Sequence, residues 1–426
     1  KLGGNMRRPL LIIFIFILIY SFIYTKDKDL DTYYGNKQVT IKGIVKDKKE
    51  KDKYDEYIID KFLVRDYTKN KNMIIGNIVK VNGTNKSLDD MKYDDFNYGR
   101  YIKSIGFDGI VYMENYDILN QDLLYKNIGK LKMYISNTSK YLYKKNSDFI
   151  NSILLGQKEN LSQEEKDVFQ RSGTSHIIAI SGLHTGILCT IISFFIRGIN
   201  KFYKLLILFI IMNFYMMMIG VSPSIIRAIY FVIILYLAVF LDKKRDGIST
   251  LSLVGIFLVI NNPYIIYNVS FQLSFLATLS IIYFYGYIKN ILKINLISLT
   301  IAANILTIPV IYYNFKGISI ISIISNIIVV PFIGIIMYLS IISISLFNIN
   351  IGISKLIAKL TSIIVNIIYY LLEKISDLYF IYIEIESPNI YYVIIYYVIM
   401  FSYMIYKEIT VMKEQKNELQ GYYKYY

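Results

Sequence analysis

The chain has 426 residues, 54% of them hydrophobic, and a mean hydropathy of +0.41. Several apolar runs approach the ~20 residues that span hydrocarbon, which predicts a polytopic α-helical membrane protein and excludes a soluble enzyme with one large core. The net charge of +15 favours anionic partners, lipid or nucleic acid, and the single Cys189 excludes a disulfide framework and a cysteine-based metal site.

The first predicted element is a transmembrane anchor at 6–25. Arg7 and Arg8 precede the apolar run from Pro9 to Tyr24, and cations on that side favour an N-terminus in the cytoplasm. No secretory cleavage site follows the run, so we expect it to be retained. The next domain should then be extracytoplasmic.

The second zone, 30–115, has the pattern of a small β-domain. Polar residues alternate with β-branched ones, which predicts strands at Val39–Val45, Tyr57–Val64 and Ile74–Val81. Asn82-Gly83 and Gly106 are typical of turns. Short strands between turns favour a small β-barrel, and an OB-like barrel fits the length.

Aromatic residues and cations are interleaved near the end of this β-domain. The aromatic residues are Tyr93, Phe96, Tyr98, Tyr101 and Phe107, and Lys92, Arg100 and Lys103 lie among them. Such a mixture either packs the barrel against a membrane-proximal helix, the more common role, or binds nucleic acid by stacking. The candidates for external contact are Arg100, Tyr101 and Lys103.

A helical linker is predicted at 116–173. Its first part, Tyr116–Phe149, is mixed apolar and lysine-rich, and such a segment can lie on the membrane surface. Ser162 and Glu165 have the spacing of a capping box, and Gly173 is expected to end the helix that they begin. This helix leads directly to His176.

The membrane region divides into a core at 174–347, further helices at 348–406 and a polar tail at 407–426. With the anchor, the apolar runs predict about ten crossings of the bilayer. The spans after the anchor are expected at Ser175–Ile196, Lys204–Gly220, Ser224–Leu241, Ile248–Ile260, Tyr264–Tyr287, Asn295–Tyr313, Ile318–Phe347, Ile353–Leu372 and Asn389–Tyr406.

The basic loops support this topology. Ten crossings that start inside place three clusters and the tail in the cytoplasm, as the positive-inside bias requires. The clusters are Arg197, Lys201 and Lys204; Lys243, Lys244 and Arg245; and Lys289 and Lys293. The run from Ile353 could instead be amphipathic, which would reverse the side of the tail.

Polar residues inside the spans are candidates for a pathway or for hydrogen bonds between helices. His176 and His184 are the only histidines, and Ser181 is three residues before His184. Arg227 lies about one turn inside a helix, where an unpaired cation costs several kcal/mol. Asn326 and Pro331 indicate a discontinuous helix lining a cavity. For any single residue a hydrogen bond to a neighbouring helix is the more common role.

Four ordered segments resemble the signatures of the ComEC family of competence DNA-uptake channels. They are LLGQKENLSQEEKDVFQRSGTSHIIAISGLHTGI (154–187), GVSPSIIRAIYF (220–231), DKKRDGISTLSLVGIFLVINNPYIIYNVSFQLSFLATLSII (242–282) and NFKGISIISIISNIIVVPFIG (314–334). DDFNYGRYIKSIGFDGIV (94–111) is similar to the end of the family's external OB-like domain.

The resemblance implies a channel that passes single-stranded DNA through the bacterial plasma membrane into the cytoplasm during natural transformation. It also implies which residues shape the pathway: His176, Ser181, Gly182, His184, Gly186, Ser224, Arg227, Gln272, Ser274 and Asn326. The implied partners are single-stranded DNA, membrane lipid, a DNA receptor, a separate nuclease and a cytoplasmic ATPase.

Many family members continue into a metallo-β-lactamase-like domain, and this sequence has no histidine-rich motif for one. We therefore expect no catalytic residues, no metal and no cofactor in the chain, and a separate source of energy because no phosphate-binding loop is present. Either a separate protein supplies the nuclease, or the sequence is truncated, or this member works without one. Two alternatives stay open. A secondary transporter of a small polar or anionic solute predicts an inverted repeat, which is not evident. A hydrolase using Ser181 and a histidine needs a third group, and no carboxylate is apparent.

Overall fold

The computed structural model describes residues 8–30, 36–69, 73–93, 96–220, 222–240, 246–378 and 381–423. The predicted basic cluster at Lys243–Arg245 lies outside these ranges. Helix α1 (Pro9–Lys26) occupies the expected anchor, and it begins with a proline that costs no hydrogen bond at the first helical position. The small β-domain follows it.

Five strands of the β-domain form a closed barrel in the order β1-β2-β3-β7-β4. Strand β3 pairs with β7 in parallel, and the other neighbours are antiparallel. The elements in chain order are β1 (Gln38–Glu50), β2 (Asp55–Ile59), β3 (Phe62–Asp66), β4 (Asn77–Lys86), β5 (Lys92–Tyr93), β6 (Phe96–Asn97), α2 (Tyr98–Ser104) and β7 (Gly109–Gln121). The small barrel expected from the sequence is therefore present.

Two local expectations for the barrel are wrong. Tyr57–Val64 is a hairpin and not one strand, because Asp60 takes a positive φ of 49° and turns the chain. Asn82-Gly83 lies inside β4 and not in a turn. The pairing with β7 shifts there, and an added Cβ on Gly83 would meet the Tyr112 carbonyl, so the glycine permits a close backbone approach. Gly106 does form the expected turn, with a φ of 92°.

The linker is helical, but it starts later than position 116 because β7 continues to Gln121. Helices α3 (Leu123–Tyr143), α4 (Ser147–Leu155) and α5 (Gln163–Arg171) form it. Ser162 and Glu165 make the predicted capping box at the start of α5. Lys132 of α3 forms an ion pair of 2.6 Å with Asp47 of β1, which ties the linker to the barrel.

The remaining chain is mostly helical. Its elements are α6 (Ser175–Ile178), α7 (Gly182–Phe195), α8 (Lys201–Ile219), α9 (Pro223–Phe240), α10 (Gly247–Asn261), α11 (Val269–Leu292), α12 (Asn295–Phe315), β8 (Gly317–Ser319), α13 (Ser322–Leu346), α14 (Ile351–Ser376), β9 (Tyr382–Glu384) and α15 (Ile390–Tyr423). Strands β8 and β9 pair as a short ribbon.

Seven helices in the described ranges are long and apolar enough to cross a membrane: α1, α8, α11, α12, α13, α14 and α15. Helices α7, α9 and α10 are apolar but shorter. The mostly helical fold with membrane-spanning helices expected from the sequence is therefore confirmed. The number of about ten crossings stays a prediction, because helix length and composition do not fix it.

The helices pack into two clusters of buried apolar residues. One cluster joins the linker to α6, α7, α8, α13 and α14, and the other joins α1 to α10, α11 and α12. Helix α9 belongs to both, because Ile225 and Ile229 are buried in the first while Ile226 and Tyr230 pack on the second. The α9 helix thus lies on the boundary between the clusters.

Contacts along α1 define two ends of the helical region. At the amino-terminal end of α1, Arg8 pairs with Glu408 at 3.3 Å and with Asp246 at 3.8 Å. At the other end, about 27 Å away for a helix of 18 residues, the Lys26 carbonyl accepts a hydrogen bond from Arg100 of the barrel. Here the amide of Asn262, just after α10, also donates to the Lys103 carbonyl of α2 at 2.8 Å.

Two predicted spans have other bounds in the structure: α11 begins at Val269 and not at Tyr264, and α15 continues to Tyr423, through most of the predicted tail. Two further spans differ in shape. The run Ser175–Ile196 is broken between α6 and α7, because residues 179–181 leave the helical conformation. The run Ile318–Phe347 begins as the β8 ribbon, but α13 then continues through Pro331, so the discontinuity expected beside Asn326 is absent from this described helix. A proline inside an apolar helix loses one hydrogen bond without necessarily ending the helix.

Candidate functional site

A break in the helical path places polar groups at the start of α7. Ser181 is extended, with φ of −133° and ψ of −177°, and caps the helix by accepting from the Leu183 N–H at 3.3 Å. The ring Nδ1 of His184 accepts from the Ser181 N–H at 3.3 Å and lies 3.2 Å from the Ser181 Oγ. The two side chains form a capping box in which histidine replaces the usual acid or amide.

Arg227 is the charged group at this site. Its side chain is buried in α9, with 7% of the residue exposed. The Nε donates to the Ser274 Oγ at 2.7 Å and Nη1 donates to the Thr278 Oγ1 at 2.6 Å, both on α11. Both of these partners are hydroxyls. No carboxylate in the described part of the chain forms an ion pair with Arg227.

The two glycines of α7 have different surroundings. A Cβ built on Gly182 would lie 2.9 Å from Nη2 of Arg227, so the missing side chain makes room for the guanidinium. A Cβ on Gly186 would meet no atom within 4 Å. Gly182 and Gly186 both line a groove of about 580 Å³ beside α13, together with Leu183, Ile187, Thr190, Ile191 and Tyr338.

The structure therefore brings Ser181, Gly182, His184, Arg227 and Ser274 together. They come from α7, α9 and α11, that is, from both packing clusters. His184 is fully buried, and its Nε2 has no hydrogen-bond partner among the described residues. This is the arrangement expected of a small polar site between helices, and it lies where the two clusters meet.

Other predicted pathway residues lie apart from this group. Ser224 donates to the Ser270 carbonyl at 3.0 Å, and Gln272 donates to the Ile266 carbonyl at 2.7 Å, so both support the start of α11. His176, in contrast, is near this group: it lies in the short α6 with an accessible side chain, and its ring interacts electrostatically with the ring of His184. Asn326 is buried in α13, with an Oδ1 that has no partner in the described residues.

The external candidates lie where the barrel meets the helices. Arg100 stacks over the Tyr267 ring at 4.5 Å, and the Lys103 ammonium contacts Asp108 at 3.6 Å. Arg100 is therefore engaged at the junction, whereas the Lys103 ammonium is paired within the β-domain. Tyr101 remains 38% exposed and stacks on Tyr98 at 6.0 Å between ring centroids.

The sequence interpretation missed Thr278. The signal was its spacing: Thr278 is one turn after Ser274, so both hydroxyls lie on the face of α11 that meets Arg227. Threonine is ordinary in apolar helices, where it bonds to its own backbone, and Thr278 does so with the Ser274 carbonyl at 2.9 Å. Only the packing of α9 against α11 reveals the second role.

The fold and site define a helical membrane protein that carries a small β-barrel and a buried arginine site between two helix clusters. The sequence profile of the Competence protein family matches residues 153–410, which includes every residue of that site. The chain belongs to this family.

Two curated relatives are similar over shorter stretches. ComE operon protein 3 of Bacillus subtilis (strain 168) is 32% identical over 218 residues, which cover 50% of this chain and 28% of that protein. An uncharacterized protein of Aquifex aeolicus (strain VF5) is 29% identical over 133 residues, or 31% of this chain and 32% of the relative. The matches thus span about a third of each relative's length. No solved structure matches the chain significantly.

Proposed function

We propose that this protein passes a single DNA strand through the plasma membrane into the cytoplasm. Membership of the competence family and the similarity to ComE operon protein 3 support a role in DNA uptake. The observation that carries the finer proposal is Arg227, a buried cation that lies between two helix clusters and has hydroxyl partners. Each nucleotide of a passing strand brings one phosphate to pair with it.

The hydrogen bonds of Arg227 leave part of its guanidinium available. A guanidinium has five N–H donors, and Ser274 and Thr278 each accept one of them. The hydroxyls fix the plane of the group without neutralising its charge. The remaining donors can bind a phosphate oxygen in the forked geometry that arginine favours. A buried guanidinium has lost its water and is stabilised by pairing with an anion. We propose that the phosphates of the strand supply this anion.

The start of α7 adds a second anion-binding element beside Arg227. The first backbone N–H groups of a helix have no partner within the helix and carry partial positive charge. Ser181 and His184 cap part of this end, and Gly182 lets the Arg227 guanidinium approach it closely. Together they form a positive region at the boundary of the two clusters, which a strand would reach when one cluster moves against the other.

The orientation proposed from the sequence has the amino terminus inside and the barrel outside. Arg8 lies at the opposite end of α1 from the barrel, in agreement with the positive-inside bias. In this orientation DNA meets the barrel first and Arg227 afterwards. A DNA receptor and a nuclease would act outside, an ATPase would act in the cytoplasm, and lipid surrounds the apolar helices.

A secondary transporter of a small anion is the competing proposal, because the same arginine can bind a carboxylate or phosphate. We favour DNA because the site belongs to the segment that matches the competence family. We also propose that the chain is not an enzyme. Ser181 and His184 cap α7, and a histidine that acts as a catalytic base is usually oriented by a third group. In the described part of the chain no carboxylate contacts His184 in this way.

The test uses the purified chain in lipid vesicles that contain a single-strand-binding protein to retain DNA. We expect labelled single-stranded DNA to accumulate. The Arg227→Gln variant should reduce the rate about tenfold or more, because a hydrogen bond to a charged group contributes about 1.5–3 kcal/mol. Arg227→Lys should restore part of the rate, and Arg197→Gln, at an exposed loop position, is the control. Uptake of a sugar or amino acid analogue in place of DNA would contradict the proposal.

A further inference from the structure

Three tyrosines from separate segments meet on the outside of the barrel. Tyr54 precedes β2, Tyr67 follows β3 and Tyr112 lies in β7. The ring centroids of Tyr54 and Tyr67 are 5.1 Å apart, and those of Tyr67 and Tyr112 are 5.9 Å apart in a stacked arrangement. Tyr67 is 52% exposed. Stacked rings that remain open to solvent offer flat faces to a ligand with flat faces of its own.

Cations accompany these rings. The Arg65 guanidinium lies 5.0 Å from the Tyr54 ring centroid, and the Lys51 ammonium lies 5.1 Å from it. Both cations also pair with Glu56, at 3.4 Å and 2.9 Å. The shared carboxylate reduces the net field, so a polyanion would be held here by stacking more than by charge.

The row of rings continues towards the membrane helices through Arg65. Arg65 donates to the Tyr98 hydroxyl at 2.9 Å, and Tyr98 stacks on Tyr101 at 6.0 Å. Arg100, next in the chain to Tyr101, stacks over Tyr267 at 4.5 Å. We call this row the aromatic strip: Tyr54, Tyr67, Tyr112, Arg65, Tyr98, Tyr101, Arg100 and Tyr267.

The inner end of the aromatic strip lies next to α11, the helix whose hydroxyls accept hydrogen bonds from Arg227. Tyr267 directly precedes Asn268, the capping residue of α11. Ser274 follows seven positions later, which is about 10 Å along a helix. The strip therefore leads from the outer surface of the barrel to the helix whose hydroxyls fix Arg227.

The position of the strip on the barrel agrees with its chemistry. In five-stranded barrels of this type, oligonucleotides bind across the second and third strands and the loops after the first and fourth strands. Tyr54 lies in the connection from β1 to β2, Tyr67 directly follows β3, and α2 with Tyr98 and Tyr101 lies in the connection from β4 to β7. The strip thus covers the surface where unpaired bases would be expected to stack.

We propose that the aromatic strip is a binding track for single-stranded nucleic acid that stacks unpaired bases without reading their sequence and delivers the strand to α11. The proposal rests on the proposed function for its destination, while binding to the strip is a separate property. The carboxylate paired to Arg65 and Lys51 makes the track less dependent on phosphate contacts than a basic groove. Binding should accordingly depend only weakly on salt.

The test measures binding of the full chain in lipid nanodiscs to a labelled oligodeoxythymidine. Tyr67→Ala and Tyr54→Ala should each weaken binding about tenfold, the usual effect of losing one stacked base. Tyr67→Phe keeps the ring and should bind like the wild type. Tyr141→Ala removes an exposed tyrosine of α3 outside the strip and serves as the control. An abasic strand of the same length, which can stack on none of the rings, should bind the wild type at least as weakly as oligodeoxythymidine binds the Tyr54→Ala/Tyr67→Ala double variant.

Unchanged affinity in the Tyr54→Ala/Tyr67→Ala double variant, or equal wild-type affinity for the abasic strand, would overturn the proposal. A second measurement guards against misfolding. The sequence has no tryptophan, so Tyr67→Trp introduces a single indole. Its emission should be quenched by the oligonucleotide. Quenching by brominated lipid instead would mean that the strip contacts the membrane and would also overturn the proposal.

Two results separate this proposal from the channel. Arg227→Gln should bind the oligonucleotide like the wild type even though it passes DNA slowly. If the tyrosine variants bind normally while DNA passage still depends on Arg227, the strip is wrong and the channel stands. If the strip binds DNA and no DNA passes in any condition, the channel is wrong and the strip stands.

Discussion

Cations that are shielded from solvent have different partners in the barrel and in the helical region. In the barrel and its linker, cations that are shielded from solvent meet carboxylates: buried Lys132 pairs with Asp47 at 2.6 Å, and partly buried Lys48 pairs with Asp55 at 3.3 Å. In the helical region, Arg227 is equally buried but meets Ser274 and Thr278. A charge paired within the protein stabilises a fixed structure, whereas one held only by hydroxyls keeps its capacity to bind an anion. By this difference the ion pairs of the barrel and linker belong to the structural framework, and Arg227 belongs to a binding site.

The largest expected effect tests the paired charge. Lys132→Met leaves Asp47 buried without its partner, and breaking such a pair costs about 3–5 kcal/mol. The free energy of unfolding, measured by denaturant titration of the detergent-solubilised protein, should fall by that amount. Lys130→Met, at an exposed position of the same helix, should change it little.

The same pair has a second test. Adding Asp47→Leu to Lys132→Met should recover most of the loss, because an apolar pair avoids the unpaired charge. If the double variant is as unstable as the single one, packing and not charge explains the role of Lys132. In that case the contrast between barrel and helices would be weaker than stated.

The next effect concerns the room left for Arg227. Gly182→Ala would place a Cβ 2.9 Å from Nη2, so the guanidinium must move and lengthen its bonds to Ser274 and Thr278. Each lost bond to a charged group costs about 1.5–3 kcal/mol, and DNA passage should slow in proportion. Gly198→Ala, in the turn after α7 and outside the predicted pathway, is the control. Its Cβ meets nothing within 4 Å, so DNA passage should be unchanged. Equal effects of the two variants would argue against a special position of Gly182.

A smaller effect is expected from the cap of α7. Ser181→Ala removes the acceptor for the Leu183 N–H and should cost about 1 kcal/mol. Hydrogen exchange of the first turn of α7 should become faster, while Ser181→Thr retains the cap and the slow exchange. Unaltered exchange in Ser181→Ala would mean that His184 alone closes this helix end.

The smallest effect is a pH dependence at the junction of barrel and linker. Lys49 pairs with Glu159 at 2.8 Å. Burial disfavours the charged form of Glu159, but the Lys49 ammonium and hydrogen bonds hold the pKa of this carboxyl below its ordinary value. Because the pKa of Glu159 is lower in the folded than in the unfolded protein, the ion pair adds to the free energy of unfolding at pH values above the unfolded pKa. This stabilisation is lost as the pH falls through the folded pKa. The Lys49 side chain is 37% exposed, so solvent screening limits the gain to about 0.5 kcal/mol.

The measurement compares unfolding of the wild type and Glu159→Gln from pH 7 down to pH 3. The difference in stability between them should vanish in acid. Burial also opposes the charge of Lys49, yet Glu159 raises the pKa of Lys49, so the pair should persist until strongly alkaline pH. A constant difference across the acid range would show that Glu159 acts through packing.

Much of the fold could be predicted because its signals are local. Long apolar runs located the helices from α8 to α14 within about five residues and the start of α15, and the pattern Ser162–Glu165 located the start of α5. The end of α15 was missed because its last turns are polar, so no apolar run marks them. The break before α7 was missed because an apolar run hides it and histidine is an unusual member of a capping box. The turn at Asp60 was missed because it contains no glycine.

The site was harder to predict because its signals are long-range. Arg227 and Ser274 stood out as polar residues in apolar runs, but their contact depends on how α9 packs against α11. Tyr54, Tyr67 and Tyr112 are far apart in sequence and ordinary in a tyrosine-rich chain, so only the closed barrel brings them together. Single residues could be proposed from the sequence, and their groupings could not.

The central claim is that DNA passes beside Arg227, and cross-linking tests it most directly. A strand with a bulky protein at its trailing end would arrest during passage through the vesicle-bound protein, and photoreactive groups on its phosphates would mark their neighbours. We predict adducts on the start of α7 at 182–186 and on the faces of α9 and α11 that carry Arg227 and Ser274, with loss of those adducts in Arg227→Gln. Adducts confined to the barrel, or unchanged in that variant, would contradict the account.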